Sequence, residues 1–404
     1  MSEKISVSRQ RAWLRVLTLA FAAFIFNTTE YIPVSLLSDI GASFNMDSPQ
    51  AGVIMTVYAW IVAIMSLPLV LLTGKIDRRM LMLALFALFS FSHLLSFMAW
   101  SFDVLLLSRA GVALSHALFW SMTASLVIRL APAGNRAQAL GMIATASGLA
   151  SVLGIPVGRI IGQMFGWRVT FLTIGVAAFV LMILFLKVMP RLKPEQNGTL
   201  KSVPDLFRNL PLISLFLLAV LIITAHYCAF TYIEPFVLQV AGLSHRFVTV
   251  LLLIFGLAGI GGSILFSKLG EKHLSAMLTG AIAVLTLCLV LFSHVTSDAI
   301  SLVFICTLWG MAIMIIGTGI QMKVLTLSHR TADIAMAIYS GIFNIGIGMG
   351  ALLGKTVSAE FKLSFVGYAG AGFGIASLAL AVFSLRKWPS ARHHEENIVN
   401  NLAD

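Results

Sequence analysis

The chain has 404 residues, of which 59% are hydrophobic and 11% are charged, and its formal net charge at pH 7 is +11. Its mean hydropathy of +0.97 is far above what a water-soluble domain needs for one core. The composition therefore excludes an ordinary soluble domain and indicates a membrane protein with several spans. A nucleic-acid-binding protein would gather its basic residues on one soluble domain, and this sequence has no such domain.

Twelve apolar runs are long enough to cross a bilayer as helices. About 20 residues are needed, because a helix rises about 1.5 Å per residue through about 30 Å of hydrocarbon. The runs are continuous rather than alternating, which favours helices over a β-barrel. The sequence thus predicts an all-α membrane protein, with spans, in chain order, at 12–37, 50–73, 80–100, 104–131, 137–164, 169–189, 212–239, 247–268, 274–294, 299–327, 334–356 and 365–386.

The distribution of lysine and arginine predicts the orientation. With twelve spans both termini lie on one side, and most of the 27 basic residues fall in the termini or in the loops on that side. The loops on the opposite side hold Arg168, Arg246, Lys355 and Lys362. By the positive-inside rule, we expect both termini to be cytoplasmic.

The spans divide into two sets of six. The longest loop, Lys187–Pro211, is basic, carries four prolines and is predicted to be a linker. The two sets repeat weakly at an offset near 193, at which His116 corresponds to Trp309, whereas Glu30 and Glu234 correspond at an offset of about 204. Two parallel six-helix repeats with a site at their interface are typical of an alternating-access transporter. The predicted organisation is an N-terminal six-helix bundle at 1–189, a cytoplasmic linker at 190–211, a C-terminal six-helix bundle at 212–386 and a cytoplasmic tail at 387–404.

Several stretches together carry a resemblance to a known family: "FNTTEYIPVSLLSDI", "YAWIVAIMSLP", "RAGVALSHALFWSMTASL", "APAGNRAQAL", "GIPVGRIIGQMFGWR", "TAHYCAFTYIEPFV" and "SGIFNIGIGMGALLG". Over nearly its whole length the chain resembles the major facilitator superfamily, in its proton-antiporter branch. It is more closely similar to bacterial sugar efflux transporters that export arabinose and isopropyl thiogalactoside. The resemblance implies the two-bundle fold, proton-coupled efflux and a place in the bacterial inner membrane.

The loop between spans 2 and 3 departs from the family pattern. That pattern has a glycine, three residues, Asp-Arg and a second glycine, whereas "GKIDRR" has no second glycine. We still expect the polar residues of this motif to cap the next helix and to tie helices together at the cytoplasmic face. The motif consists of Gly74, Asp77, Arg78 and Arg79.

Span 5 carries an altered form of the family's antiporter signature. The stretch "GIPVGRIIG" keeps Pro156 and places Arg159 where the family usually has glycine. The resemblance implies that Pro156 takes part in the conformational change.

Only two of the 16 acidic residues, Glu30 and Glu234, lie inside the predicted spans. An ionised acid at the bilayer centre costs about 2.5 to 3.5 kcal/mol on insertion scales, so such residues are functional candidates. Arg109 and Arg159 lie at a similar depth. We expect Glu30 to pair with one of these arginines in one conformation and to weaken an outer gate when it is protonated. The alternative is that the arginines reach outward to the interface and the glutamates only form hydrogen bonds.

Neutral polar and aromatic residues lie deeper in the spans. Amide and imidazole groups bond sugar hydroxyls, and an aromatic face covers the apolar side of a pyranose. Arg109, His116 and Trp120 share one face of span 4, at i, i+7 and i+11. The candidate sugar-binding residues are Asn27, Tyr58, His116, Trp120, His226, Tyr232, Trp309 and Asn344. His116 could instead titrate and carry the proton itself, so Glu30, Glu234 and His116 all remain candidates.

The sequence favours a transporter over other functional classes. "GALLGKT" resembles a phosphate loop but has three rather than four residues between its glycines and lies in an apolar run. No cluster has metal-ligand spacing, so we expect no metal, no cofactor and no enzymatic activity. The expected function is proton-coupled sugar efflux by a monomer whose partners are sugar, protons and membrane lipids. The alternative is a multidrug/proton antiporter of the same fold.

Overall fold

The computed structural model of the chain describes residues 9–132, 135–192, 203–294, 298–328 and 332–387. This part of the chain is almost entirely helical and contains no strand. Within it, twelve helices are long and apolar enough to cross a membrane, which confirms the predicted fold class. Most of the predicted linker, at 193–202, and the predicted tail beyond residue 387 lie outside the described residues.

The helices follow the predicted apolar runs closely. One long helix contains two spans, His245–Leu269 and His273–His294, which meet at a kink where His273 has φ −127° and ψ 32°. The α-helices are α1 (Arg9–Ser35), α2 (Leu37–Ala42), α3 (Ser48–Ala51), α4 (Val53–Leu72), α5 (Arg78–Met98), α6 (Phe102–Leu130), α7 (Arg136–Leu149), α8 (Ile155–Phe165), α9 (Trp167–Val188), α10 (Val203–Leu206), α11 (Leu210–Phe230), α12 (Ile233–Pro235), α13 (His245–His294), α14 (Ala299–Leu327), α15 (Ala332–Glu360) and α16 (Val366–Lys387).

The chain divides into two compact units. The first comprises Met1–Asn197 with Thr231–Gly256, and the second comprises Gly198–Phe230 with Leu257–Asp404. The division falls inside the predicted seventh span, where the helix is interrupted at Tyr232, with φ −110° and ψ 16°. The predicted domain boundaries stay a prediction.

Helix α1 is central to the first unit. It packs against α6, α7, α8 and α9, while α5 packs against α6 and α9. The side chain of Phe26, near the middle of α1, is fully buried. It stacks on Phe119 with the ring centroids 4.2 Å apart and the planes 7° apart, and Phe89 lies 4.2 Å away on another side. This aromatic core fixes the turn of α1 that carries Asn27 to Glu30.

Helix α11 is central to the second unit, where it packs against α14, α15 and α16. Two glycines of α15 allow the close approach. A Cβ atom on Gly350 would meet the carbonyl oxygen of Thr224 at 2.7 Å, and one on Gly346 would meet the Cβ of Ile223 at 2.8 Å. Small residues four apart commonly permit such packing between membrane helices.

Prolines mark the irregular points of the helices. Helix α1 ends at Ser35, two residues after Pro33. A five-residue π-helical segment, Ala150–Gly154, precedes Pro156, and another, Phe236–Val240, follows Pro235. A proline lacks the N–H that its helix would use, so a carbonyl one turn earlier must find another donor.

Candidate functional site

The carboxylate of Glu30 is buried beside an imidazole. Its Oε2 atom lies 3.7 Å from Nε2 of His116, and the two side chains are 9% and 6% exposed. The ring of Tyr58 meets the imidazole edge to face, with centroids 5.6 Å apart. Among the described residues, no lysine or arginine nitrogen lies within 4.0 Å of this carboxylate. We call Glu30, Tyr58, Arg109 and His116 the Glu30 cluster.

Arg109 is fully buried and bonds to the backbone and side chain of one residue. Its Nη1 donates to Oγ1 of Thr29 at 2.8 Å, and its Nη2 donates to the carbonyl oxygen of Thr29 at 2.9 Å. The guanidinium carbon also lies 4.6 Å from the ring centroid of Tyr58, in a cation–π contact. In this structure Arg109 is therefore held by helix α1 and an aromatic ring.

Three polar atoms of the Glu30 cluster lack a hydrogen-bond partner in the described protein. They are the buried hydroxyl of Tyr58, Nδ1 of His116 and Nε of Arg109. A buried polar group without a partner costs about 1 to 3 kcal/mol, so such atoms are unusual in a stable core. The ring of Trp120 lies 6.2 Å from His116, and Trp120 and Asn27 are both partly exposed. The arrangement suits a ligand with hydroxyl groups and an apolar face.

Glu234 has quite different partners. Its Oε1 lies 3.5 Å from Nη1 of Arg159, and both side chains are fully buried. The N–H and the hydroxyl of Ser38 donate to Oε2 at 3.1 and 2.7 Å. Arg159 also donates from Nη1 to the carbonyl of Ser35 and from Nη2 to Nδ1 of His245, the latter at 3.2 Å. The carbonyl of Ser35 is available because it lies at the end of α1, where carbonyls lack helical donors.

In the second unit, the structure brings His226 and Trp309 together. The indole Nε1 of Trp309 donates to Nδ1 of His226 at 2.9 Å, and Phe230 stacks on the imidazole at 4.8 Å. Trp309 is fully buried among these rings. Asn344 donates from Nδ2 to the carbonyl of Ser340 at 3.0 Å, while its buried Oδ1 has no partner in the described protein.

Tyr232 belongs to the first unit. It lies at the interruption of the seventh span and is fully buried. Its hydroxyl lies against Gly52, at a point that a Cβ atom on residue 52 would occupy. The absence of a side chain at Gly52 therefore allows this approach.

The loop motif "GKIDRR" ties α5 to the end of α9. Asp77 caps α5 by accepting from two backbone N–H groups of its first turn, and its Oδ2 accepts from the N–H of Leu192 at 3.0 Å. Arg78 donates its own N–H to the carbonyl of Leu192 at 3.0 Å, and Arg79 donates to the carbonyl of Leu186 at 2.5 Å. The motif thus joins two helix ends of the first unit.

Two residues of the predicted conformational motifs have mainly backbone roles. Gly74 lies in the turn that follows α4, and Pro156 lies in the first turn of α8, directly after a π-helical segment.

The described residues contain no group of three or more His, Cys, Asp or Glu side chains that could hold a metal ion.

Sequence reasoning missed three residues that organise these clusters: Thr29, Ser38 and His245. Thr29 had a usable signal, since it lies four residues before Pro33 and its carbonyl therefore loses its helical donor. Ser38 and His245 carry no signal in the sequence. The pairing of Glu30 with an arginine in another conformation stays a prediction, because Arg159 bonds to Glu234 in this structure.

Comparison with known proteins gives one family and one fold. Residues 19–351 match the sequence profile of the Major Facilitator Superfamily. The chain is also similar to a bacterial homolog of the human lysosomal transporter Spinster, solved in an inward-facing, unoccupied conformation. The identity is 15%, the match covers 94% of this chain and 98% of that one, and the TM-score is 0.76. For the inward-facing, occupied structure of that homolog the identity is 17%, the match covers 95% of this chain and 98% of that one, and the TM-score is 0.72. At this identity the likeness concerns the fold alone.

Proposed function

Because the chain belongs to the Major Facilitator Superfamily, we propose that it exports sugars and sugar analogues across the bacterial inner membrane in exchange for protons. The chain is a membrane transporter and not an enzyme. The proposed mechanism is alternating access between two repeats. The observation that carries the proposal is Glu30, a buried acid in a membrane span with an imidazole as its neighbour.

Glu30 suits a proton carrier better than Glu234 does. Buried acids in membrane spans commonly belong to proton pathways. In the described part of the chain, Glu30 has no arginine or lysine nitrogen within 4.0 Å, whereas Glu234 is bonded by Arg159 and twice by Ser38. Each of these donors favours the ionised form of the Glu234 carboxylate. We therefore assign proton exchange to Glu30 with His116, and gating to the Glu234–Arg159 pair.

The proposed substrate class is supported by buried polar atoms that lack hydrogen-bond partners in the described residues. The hydroxyl of Tyr58 and Nδ1 of His116, both in the first unit, are buried groups that sugar hydroxyls can satisfy. Trp120 supplies an aromatic face near His116. The alternative, a multidrug/proton antiporter, draws on the aromatic cluster of the second unit, in which Phe230 stacks on His226 and meets Trp309 edge to face, because such rings also suit lipophilic compounds.

Transport by purified protein in liposomes tests the proposal. An imposed pH gradient should drive labelled arabinose against its concentration gradient. We expect Glu30→Gln to abolish this proton-driven accumulation while sugar exchange without a gradient persists, because Gln keeps the shape but cannot release a proton. Glu234→Gln should slow transport yet leave it coupled to protons.

The exposed Glu360, at the end of α15, provides the matched control, and Glu360→Gln should behave as the wild type. Unchanged coupling in Glu30→Gln would refute the proton assignment. Gradient-driven uptake of a lipophilic cation without any sugar transport would favour the multidrug alternative.

A further inference from the structure

The guanidinium of Arg109 is anchored to the residue that precedes Glu30. Two bonds to Thr29, one to its hydroxyl and one to its carbonyl, fix the plane of the group. Arg109 is close enough for its charge to act on Glu30. Yet within the described residues, none of its nitrogens comes within 4.0 Å of the Glu30 carboxylate. The two bonds to Thr29 therefore hold a buried cation near a buried acid without letting them form an ion pair.

Pro33 explains why the carbonyl of Thr29 accepts from a side chain. In an α-helix the carbonyl of residue 29 would accept from the N–H of residue 33. Proline has no N–H, so this carbonyl has no donor at that position of its own helix. Nη2 of Arg109 supplies the missing donor at 2.9 Å.

His93 orients the hydroxyl of Thr29. Nδ1 of His93 lies 2.8 Å from the carbonyl of Phe89, and since a carbonyl only accepts, Nδ1 carries the hydrogen. Nε2 of a neutral imidazole then accepts, so the hydroxyl of Thr29 donates a hydrogen bond to it at 2.8 Å. The lone pairs of that hydroxyl remain for Nη1 of Arg109. All three side chains, His93, Thr29 and Arg109, are fully buried.

We propose that Pro33, Thr29 and His93 form a clamp that keeps Arg109 on Tyr58 and away from Glu30, so that the Glu30 carboxyl remains able to exchange a proton. The three are positioning residues, since they act on Glu30 only through Arg109. The groups that face Glu30 are Tyr58 of α4 together with Arg109 and His116 of α6. His93 of α5 reaches this group through Thr29. The purpose of the clamp rests on the proposed function, but its existence is tested independently.

Infrared difference spectroscopy of the purified protein reads the protonation of Glu30 without transport or sugar. The carboxyl band that Glu30→Gln removes is titrated with pH. In Thr29→Val, Arg109 loses the hydroxyl acceptor, and in Pro33→Ala a new backbone N–H competes with it for the carbonyl of Thr29. In both variants Arg109 is held less firmly and can turn to Glu30. A new cation beside a carboxylate favours its ionised form, so the midpoint of the band should move to lower pH by about one unit or more. His93→Phe should shift it in the same direction by a smaller amount.

Three controls separate the clamp from general damage. Thr29→Ser keeps the hydroxyl and should titrate as the wild type. The hydroxyl of Thr28 bonds only to the carbonyl of Phe24 in its own helix, so Thr28→Val should not shift the band. Pro68→Ala changes the proline inside α4 and should also leave it in place. If Thr29→Val does not fold, Thr29→Ala removes the same hydroxyl with a smaller side chain and carries the same expectation.

The outcomes distinguish the clamp from the proposed function. Unshifted titrations in Thr29→Val and Pro33→Ala would overturn the clamp, even if the wild type exchanges sugar for protons. Shifted titrations in a protein that moves no sugar would support the clamp and refute the proposed function. An unshifted titration in His93→Phe alone would remove His93 from the clamp.

Discussion

The two acids inside the membrane spans show how neighbours decide the role of a residue. Glu30 and Glu234 each lie within a few positions of a tyrosine, an isoleucine and a proline in the sequence. In the folded chain, Glu30 has an imidazole beside it, whereas Glu234 is bonded by Arg159 and Ser38. Equivalent positions in a repeat can therefore differ in chemistry.

At the residue scale, we expect strong coupling between Arg159 and Glu234. Removing one partner of a buried ion pair leaves a charge without compensation and costs about 3 to 5 kcal/mol. Arg159→Met and Glu234→Gln should each lower the thermal unfolding temperature in detergent, and the double variant should lose much less than the sum of both. Arg246 is exposed, so Arg246→Met should have little effect. Additive losses in the double variant would contradict the coupling.

The elements are held together by a few caps and close contacts rather than by helix propensity alone. Asp77 and Asp298 both cap long helices through their carboxylates, α5 and α14 respectively. Asp77 additionally accepts from the N–H of Leu192. Asp298 therefore stabilises the start of a helix. Asp77 stabilises the start of a helix and also joins two parts of the first unit.

Because Asp77 has a bonding partner beyond its own helix, we predict different losses of stability when each of the two capping aspartates is removed. Asp298→Ala should lower the free energy of unfolding, because the N–H groups of Ile300 and Ser301 lose the carboxylate that caps them. Asp77→Ala should cost more, because the N–H of Leu192 also loses its acceptor. Thermal unfolding of both variants, compared with the wild type, measures this. A smaller loss for Asp77→Ala than for Asp298→Ala would contradict the joining role.

Helix packing in the second unit predicts that alanine substitutions at two glycines change the stability of the protein in different directions. A Cβ on Gly350 would meet backbone atoms of α11 at 2.7 and 2.9 Å, whereas one on Gly372 would meet nothing within 4 Å. Gly350→Ala should therefore destabilise the protein by about 1 to 3 kcal/mol through overpacking. Gly372→Ala should be neutral or stabilise it by up to about 1 kcal/mol, since alanine favours the helix. Equal effects at both positions would show that α15 and α11 are not closely packed there.

At the scale of the whole molecule, the twelve spans and the basic residues together predict which side of the membrane the termini and each loop face. The basic residues lie mainly in the termini and the loops on the same side. Insertion against this bias is disfavoured, because positive loops are retained in the cytoplasm.

Reporter fusions test the expected orientation. A green fluorescent protein fused at the C-terminus should fluoresce, and alkaline phosphatase fused there should be inactive, because that enzyme works only outside the cytoplasm. The matched control places both reporters in the short loop at 241–244, between two spans, where the phosphatase should be active. An active phosphatase at the C-terminus would reverse the predicted orientation.

The fold could be predicted well because its main signal is local. Each span is a continuous apolar run, so the number and approximate bounds of the helices follow from the sequence. The details at the prolines could not be predicted, since the π-helical segments near Pro156 and Pro235 depend on how the neighbouring helices satisfy the freed carbonyls.

The sequence by itself determined that the chain spans the membrane twelve times and that only Glu30 and Glu234 among its acids lie inside the predicted spans. It did so because apolar length and isolated charge are properties of one segment. Only the tertiary structure decided that Arg159 bonds to Glu234 and that Arg109 is held by Thr29. These pairings join residues that are far apart in the chain, so no single segment of the sequence can specify them.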